Sequence, residues 1–369
     1  MTEPSLKDEL RRRIKLAGPM PVRQFMTSCL SHPQHGYYMT RDPLGRAGDF
    51  ITAPEISQVF GELVGLWAAS VWHLMEQPDN LRLIELGPGR GTMMLDAMRA
   101  AQVVPAFRAA IVIHLVEISP TLRERQQQAL AALDVPVMWH QSFDEVPEGP
   151  AIVLANEFFD AIPVSQAIKQ FNGWYERVVE LDRDGNFKFG IANELLPLFD
   201  QLVPENLRDA PIGTIYEWRS DNMALTLGRR MAQQGGAALV IDYGHDRSGA
   251  GETLQAVSDH GYVDALAQPG EVDLTAHVDF QALAEAAESM GARVFGPVAQ
   301  GRFLRQLGVE ARGEALCTLA PPEKAAEIKA AVQRLTAEET TKDMGRLFRA
   351  LAITHPSLAT TPGFENEAG

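Results

Sequence analysis

The chain of 369 residues is predicted to be an α/β protein. The expected architecture is a Rossmann-like parallel sheet with an N-terminal helical and loop extension and an inserted β-hairpin cap. Three observations lead there. The stretch Leu81 to Met98 runs from a short apolar strand, through Gly87, Gly89 and Gly91, into an apolar pattern of helical spacing. Strand, glycine turn and helix form the opening unit of a nucleotide-type α/β fold. Further short buried runs end in acidic or polar residues at 110–117, 151–156 and 237–242. Between the last two lies an alternating stretch with an Asp184-Gly185 turn signal, a hairpin that a minimal doubly wound sheet lacks.

Taken in order, residues 5–30 read as helical. Leu6, Leu10 and Ile14 form one stripe, closed by Gly18-Pro19, and Val22, Phe25, Met26, Cys29 and Leu30 form a second. His32 to Glu55 is rich in Gly, Pro and polar residues and has no period. Its Tyr37, Tyr38, Phe50 and Ile51 argue for an ordered loop, lying over the ligand site or wrapping the N-terminal region. Ile56 to Met75 is a long apolar helix. The first strand and its helix follow, then a second strand, Ala110 to Glu117, and a helix opened by Ser119-Pro120. Val135 to Trp139 is the third strand, with Asp144 beyond its end. Ala151 to Ala155 is the fourth, running into Asn156, Glu157 and Asp160. After the hairpin come a short extended run at Gly213 to Trp218 and a helix through Met231. Ala237 to Asp242 is a fifth buried strand, followed by Tyr243. Residues 245–278 read as irregular. Asp279 to Met290 is a helix and Ala292 to Val298 a late strand. Glu323 to Leu335 and Lys342 to Ala352 read as closing helices, with frayed residues from Pro356 onward. The expected domains are 1–78 as the N-terminal helical region and covering loop, 79–164 with 209–300 as the core, 165–208 as the inserted cap and 301–369 as a helical tail.

Composition narrows the class. Hydrophobic residues at 46% and charged residues at 22% suit a globular chain. A net charge of −15 argues against nonspecific nucleic-acid binding as the main task. Cys29 and Cys317 form no paired motif, so neither zinc nor a disulfide framework is indicated, and a reducing cytoplasmic compartment fits. The N-terminus has no apolar signal core, and no run reaches the roughly 18 apolar residues of a membrane helix, so no membrane insertion is expected. His245, His260 and His277 lack metal-ligand spacing.

The glycine spacing selects the ligand. A dinucleotide fingerprint reads G-x-G-x-x-G, whereas this chain reads G-x-G-x-G with an acid, Glu85, two residues before the first glycine. That is the pattern of Rossmann-like enzymes dependent on S-adenosyl-L-methionine, whose ammonium, ribose and sulfonium need acids and close backbone approach rather than a phosphate cradle. A nicotinamide oxidoreductase is disfavoured by the same spacing. The cofactor set is Glu85, Gly87, Gly89, Gly91, Glu117 for ribose hydroxyls, and Asp144, which suits the adenine or a turn cap equally. Asn156, Glu157 and Asp160 stand where a parallel sheet places its chemistry, although Asn156 and Glu157 would also suit a helix start.

Over nearly its whole length the chain resembles the MidA-type methyltransferases, bacterial and mitochondrial. The matching stretches include HGYY, GDFITAPEISQVFGE, ELGPGRGTMMLD, NEFFDAIPV, IDYGH and PGEVDLTAHVDF. The resemblance implies protein arginine methylation, with a respiratory complex I subunit or similar protein as partner. Carboxylates would grip the guanidinium fork. By analogy with arginine methyltransferases that place acids after the fourth strand, Glu157 and Asp160 are the first choices. Asp242 and Tyr243 are second, for orienting substrate. Gly48, Asp49 and Thr52 would close over the cofactor. Two other readings stay open: a cofactor-binding assembly factor with little turnover, and a methyltransferase for a small molecule. Oligomeric state is not readable.

Overall fold

The computed structural model describes residues 4–40, 52–258 and 261–365. They fall into two compact units. The first comprises Met1–Phe50, Asp160–Ser220 and Arg247–Asp279, and the second Ile51–Phe159, Asp221–Asp246 and Phe280–Gly369.

The second unit is built on seven strands: β1 (Leu81–Leu86), β2 (Ile111–Val116), β3 (Val137–His140), β4 (Ala151–Asn156), β5 (Gly236–His245), β6 (Arg293–Ala299) and β7 (Phe348–Thr354). Their order across the sheet is β6-β7-β5-β4-β1-β2-β3. The five strands from β3 to β5 run parallel, and β7 pairs antiparallel with both β5 and β6. This is the expected Rossmann-like parallel sheet, closed on one side by an antiparallel strand pair. β1, β4 and β5 are nearly continuous apolar runs because both of their faces are covered, as parallel strands require. One cover is the helix Gln58–Leu74, capped by Ser57, whose hydroxyl accepts from the Val59 amide at 3.2 Å. It lies hard against the helix Thr92–Ala100. A Cβ at Gly65 would come within 2.5 Å of the Ala97 Cα, so the close crossing needs glycine there. That contact fixes the helix that leads out of the glycine turn.

The first unit holds the N-terminal helices Leu6–Ala17 and Val22–Ser31, whose stripes are buried as their spacing requires. They pack with a sheet in the order Met20–Pro21, Gly173–Leu181, Val164–Gln170, Ile215–Arg219. Phe187–Leu195 is added along Gly173–Leu181. The Asp184-Gly185 signal closes that hairpin, with Gly185 at φ +81° and Leu181 opposite Phe187.

Four local expectations are overturned. Lys342 to Ala352 is not a helix: one helical turn, Met344–Leu347, gives way to β7, because the run FRALAIT is buried between β5 and β6. Residues from Pro356 are packed, not frayed. Leu358 and Thr361 are buried, Phe364 packs at a tilt against Phe303, and the Trp67 indole donates to the Pro362 carbonyl at 3.1 Å. Residues 245–278 are not wholly irregular, since Gln255–Ser258, Gly261–Val263 and Asp273–Thr275 make a small antiparallel sheet. The helix expected from Ile56 starts afresh at Gln58, after the separate turn Ala53–Ile56, because Ser57 is extended.

Candidate functional site

The C-terminal ends of β1, β2, β4 and β5 bring one group of polar residues together in the second unit. β1 delivers Glu85, buried among apolar neighbours, and then the turn. Gly87, Gly89 and Gly91 all have positive φ, at +61°, +55° and +83°, which a side chain would strain. A Cβ at Gly87 would also lie 3.0 Å from the Phe158 ring. Gly91 opens the helix Thr92–Ala100.

β2 ends at Glu117, which is buried. Its carboxylate accepts from the Ser119 amide at 2.8 Å and from the Gln126 side-chain amide at 3.0 Å. Gln126, itself fully buried, also donates to the Gly89 carbonyl at 2.7 Å and accepts from the Trp139 indole at 3.1 Å. One side chain therefore ties the glycine turn to the second acid. Glu85 differs: among the described residues its Oε2 is buried with no hydrogen-bond partner. Burial, and next the charge of Glu117, push the Glu85 carboxyl up to about 8. Glu117 is raised too, by burial, against the opposing pull of hydrogen bonds from the Ser119 amide, the Gln126 side chain and the Ile118 amide. Two desolvated acids, one with an unspent oxygen, fit a ligand that brings hydroxyls and a positive charge, as S-adenosylmethionine does.

At β4 the chain makes a strained exit. Glu157 has φ +49°, costly for a residue with a Cβ and characteristic of functional turns. Its Oε1 accepts from the Ala53 backbone amide at 3.0 Å and from the Asn156 side-chain amide at 3.1 Å. Glu55, in the same Ala53–Ile56 turn, accepts from the Thr92 hydroxyl at 2.6 Å. Thr52 is the residue that precedes this turn. The end of the expected covering loop is thus pinned both to the glycine-turn helix and to the tip of β4. Asp242, in the C-terminal half of β5, is fully buried and accepts from the amides of Phe158, Phe159 and Tyr243 at 3.2, 3.0 and 2.9 Å. It holds the exit loop in shape. The Tyr243 ring meets the Phe348 ring edge-on.

The remaining expected residues lie elsewhere. Asp144 is exposed in the turn Phe143–Glu145 after β3. Asp160 belongs to the first unit. There it is buried, its carbonyl accepts from the Ala276 amide, and its charge, with that of Asp273, raises the Tyr38 phenol behind the larger effect of burial. The Tyr38 hydroxyl donates to Asp273 at 2.9 Å. Gly48, Asp49, Phe50, Ile51 and His260 lie outside the described residues. Sequence reasoning passed over Gln126, Glu55 and Thr92. Gln126 carried a signal, since it replaces an apolar residue in the stripe Leu122, Gln126, Leu130.

Comparison with known proteins identifies the family. Residues 63–298 match the model of an S-adenosyl-L-methionine-dependent methyltransferase family. The Drosophila melanogaster protein named protein arginine methyltransferase NDUFAF7 homolog, mitochondrial, is 36% identical over 95% of this chain and 84% of its own length. The human protein arginine methyltransferase NDUFAF7, mitochondrial, is 36% identical over 82% of this chain and 73% of its own. A Burkholderia thailandensis crystal structure bound to S-adenosyl-homocysteine superposes with a TM-score of 0.80 at 29% identity, covering 98% of this chain and 92% of that one. The open oxygen of Glu85, the glycine turn and these matches lead to one conclusion: the chain belongs to the MidA-type family of class I S-adenosyl-L-methionine-dependent methyltransferases.

Proposed function

We propose that this methyltransferase acts on arginine side chains of a protein, the acceptor being a respiratory complex I subunit or a protein like it, and that it works in the cytoplasm. The relatives named as protein arginine methyltransferases support the acceptor type. The single observation that carries it here is Glu157, an acid fixed in a left-handed backbone at the tip of β4 by the Ala53 and Asn156 amides.

Bound S-adenosylmethionine supplies an electrophilic methyl group. Glu85 and Glu117 would hold its ammonium and ribose, while Gly87, Gly89 and Gly91 let the backbone close on it. The task left to the protein is positioning. A guanidinium stays protonated at neutral pH, so its lone pair must be freed by drawing positive charge toward one edge. A fixed carboxylate at Glu157 would do this through charge-assisted hydrogen bonds. Asp160 is the second acid of the proposal, and Asp242 and Tyr243 would keep the exit loop in register.

The experiment has two parts. Proteomes with and without the protein are compared by mass spectrometry, and one arginine methyl mark should disappear. Purified Glu157→Gln and Asp160→Asn variants are then assayed on the marked protein, with cofactor affinity measured separately. Normal cofactor binding with transfer lowered by about 100-fold or more is expected, on the scale of a lost charge-assisted contact made at the transition state. Undiminished transfer by both variants would remove the acids from the mechanism. A lost mark on a residue other than arginine would change the substrate class.

A further inference from the structure

One end of the inserted sheet in the first unit is unusually apolar. Phe171 sits in the turn between the strands Val164–Gln170 and Gly173–Leu181 and is 93% exposed. Beside it is Leu195, whose Cδ1 lies 2.6 Å from where a Cβ on Gly173 would be. The chain then continues through Leu196, whose amide donates to the Trp174 carbonyl, to Leu198 and Leu202, 70% and 74% exposed. Ile212 joins from the next turn, where the Gly213 amide donates to the Lys169 carbonyl. Scattered exposed leucines are ordinary, but several large apolar side chains at one end of one sheet are not.

Leu198 sharpens the point. Its φ is +60°, so it occupies the left-handed region in which glycine or asparagine would be cheaper, yet it presents its side chain to solvent. Beneath lies a small core of its own, Trp174, Phe199, Val203, Leu207 and Tyr216, which makes the platform rigid. Lys169 bridges it to Asp200 at 2.5 Å.

We infer that this end of the insert, with Phe171, Leu195, Leu198, Leu202 and Ile212, is a docking surface for a basic, amphipathic segment of a protein partner. Charge selects the occupant. Between 191 and 214 the acids are Glu194, Asp200, Glu205 and Asp209, and the only base is Arg208. Lys169 pairs with Asp200 and Arg208 with Glu205. Exposed Glu194 and Asp209 have no ion-pair partner among the described residues. An anionic lipid surface would be repelled by these acids, and a second copy of the chain would bring the same acids to the same place. A partner with leucines on one face and lysines around them satisfies both the apolar side chains and the two open carboxylates.

The inference concerns binding and not turnover, so its failure and that of the arginine reading are separable. The probe is a synthetic helical peptide with leucines on one face and lysines on the other, added to the full-length protein and followed by fluorescence anisotropy. Controls are the same peptide with glutamates for lysines, a scrambled peptide and anionic phosphatidylserine vesicles. The basic peptide should bind the wild type at least about tenfold more tightly than the acidic one, and raised salt should narrow the gap. Leu198→Asn keeps the backbone conformation, and Phe171→Ser alters only an exposed turn. Each should weaken binding about fivefold or more, the loss typical of an interface anchor, while cofactor affinity stays unchanged. Equal binding of basic and acidic peptides, tighter binding to vesicles, or a self-association abolished by these substitutions would each overturn the proposal.

Discussion

Two pairs of acids stand at the tips of neighbouring strands, and they are spent differently. Asp242 on β5 is engaged by three backbone amides, and Glu157 on β4 by the Ala53 amide and the Asn156 side chain. Glu117 on β2 is partly engaged, and Glu85 on β1 keeps a buried oxygen with no partner among the described residues. All four are an acid at the end of a parallel strand, the same signature in sequence. What separates Asp242, held by three backbone amides, from Glu85, the proposed cofactor acid, is whether the fold itself supplies the donors. An unpaired buried carboxylate is expensive, and it persists where a ligand recovers the cost.

The contrast can be broken in several ways. The largest effect is expected from Gly89→Val, which puts a β-branched side chain at φ +55° in the proposed cofactor turn. Cofactor affinity should fall by more than about 100-fold by calorimetry, since the backbone of the turn is the proposed binding surface. Unchanged affinity would mean that the turn does not touch the cofactor. Next, Glu85→Gln should weaken the cofactor by about 10–100-fold, the worth of one charge-assisted bond. A loss below about threefold would move Glu85 to the structural class. Asp242→Asn tests the opposite pole. An asparagine has one acceptor oxygen where three amides point, so denaturant unfolding should show a loss of about 1–3 kcal/mol. Cofactor affinity of the folded fraction should stay within about threefold, since the substitution touches no ligand contact.

The pH effects are smaller and opposite in sign. Glu85 in the ligand-free protein holds its proton up to about 8, above the ordinary 4.5. The folded state therefore binds more protons than the unfolded state across that window, and stability is lost as pH rises through it. A positively charged ligand reverses the preference, so cofactor binding near pH 7 should release protons. Calorimetry in buffers of different ionisation enthalpy would reveal this, and no release would place the cofactor's charge elsewhere. The buried His114–His140 pair, 2.9 Å apart, behaves the other way. Burial, and then His140, lower His114 to about 4, below the ordinary 6.5. The unfolded state binds more protons between these values, so stability falls as pH drops from about 6.5 to about 4. His114→Phe should flatten the acid limb of a melting-temperature profile.

Most of the sheet was legible because buried parallel strands are written as short apolar runs with turns between them. The last strand was not. FRALAIT has the leucine and alanine content of a helix, and only its neighbours Ala238 to Tyr243 on one side and Arg293 to Ala299 on the other make it extended. The small sheet at 255–275 escaped because its strands are three or four residues long and set among Gly, His and Asp. In the site, the glycine turn and the two acids Glu85 and Glu117 could be picked out locally. Gln126 could not be given a role, since its tie to Gly89, 37 residues away, appears only once the helix is folded against the turn. The amide donors around Asp242 are likewise visible only in three dimensions.

The placement of β7 also bears on how the molecule is made. This strand lies between β5 and β6, yet it is the last of the seven to leave the ribosome. Until it arrives, β5 offers one bare, apolar ladder edge over residues 237–243, a template for pairing with any extended chain nearby. Vectorial synthesis thus leaves the sheet open longest next to the strand whose tip holds Asp242. Unpaired strand edges of this kind are aggregation-prone while a chain is still folding.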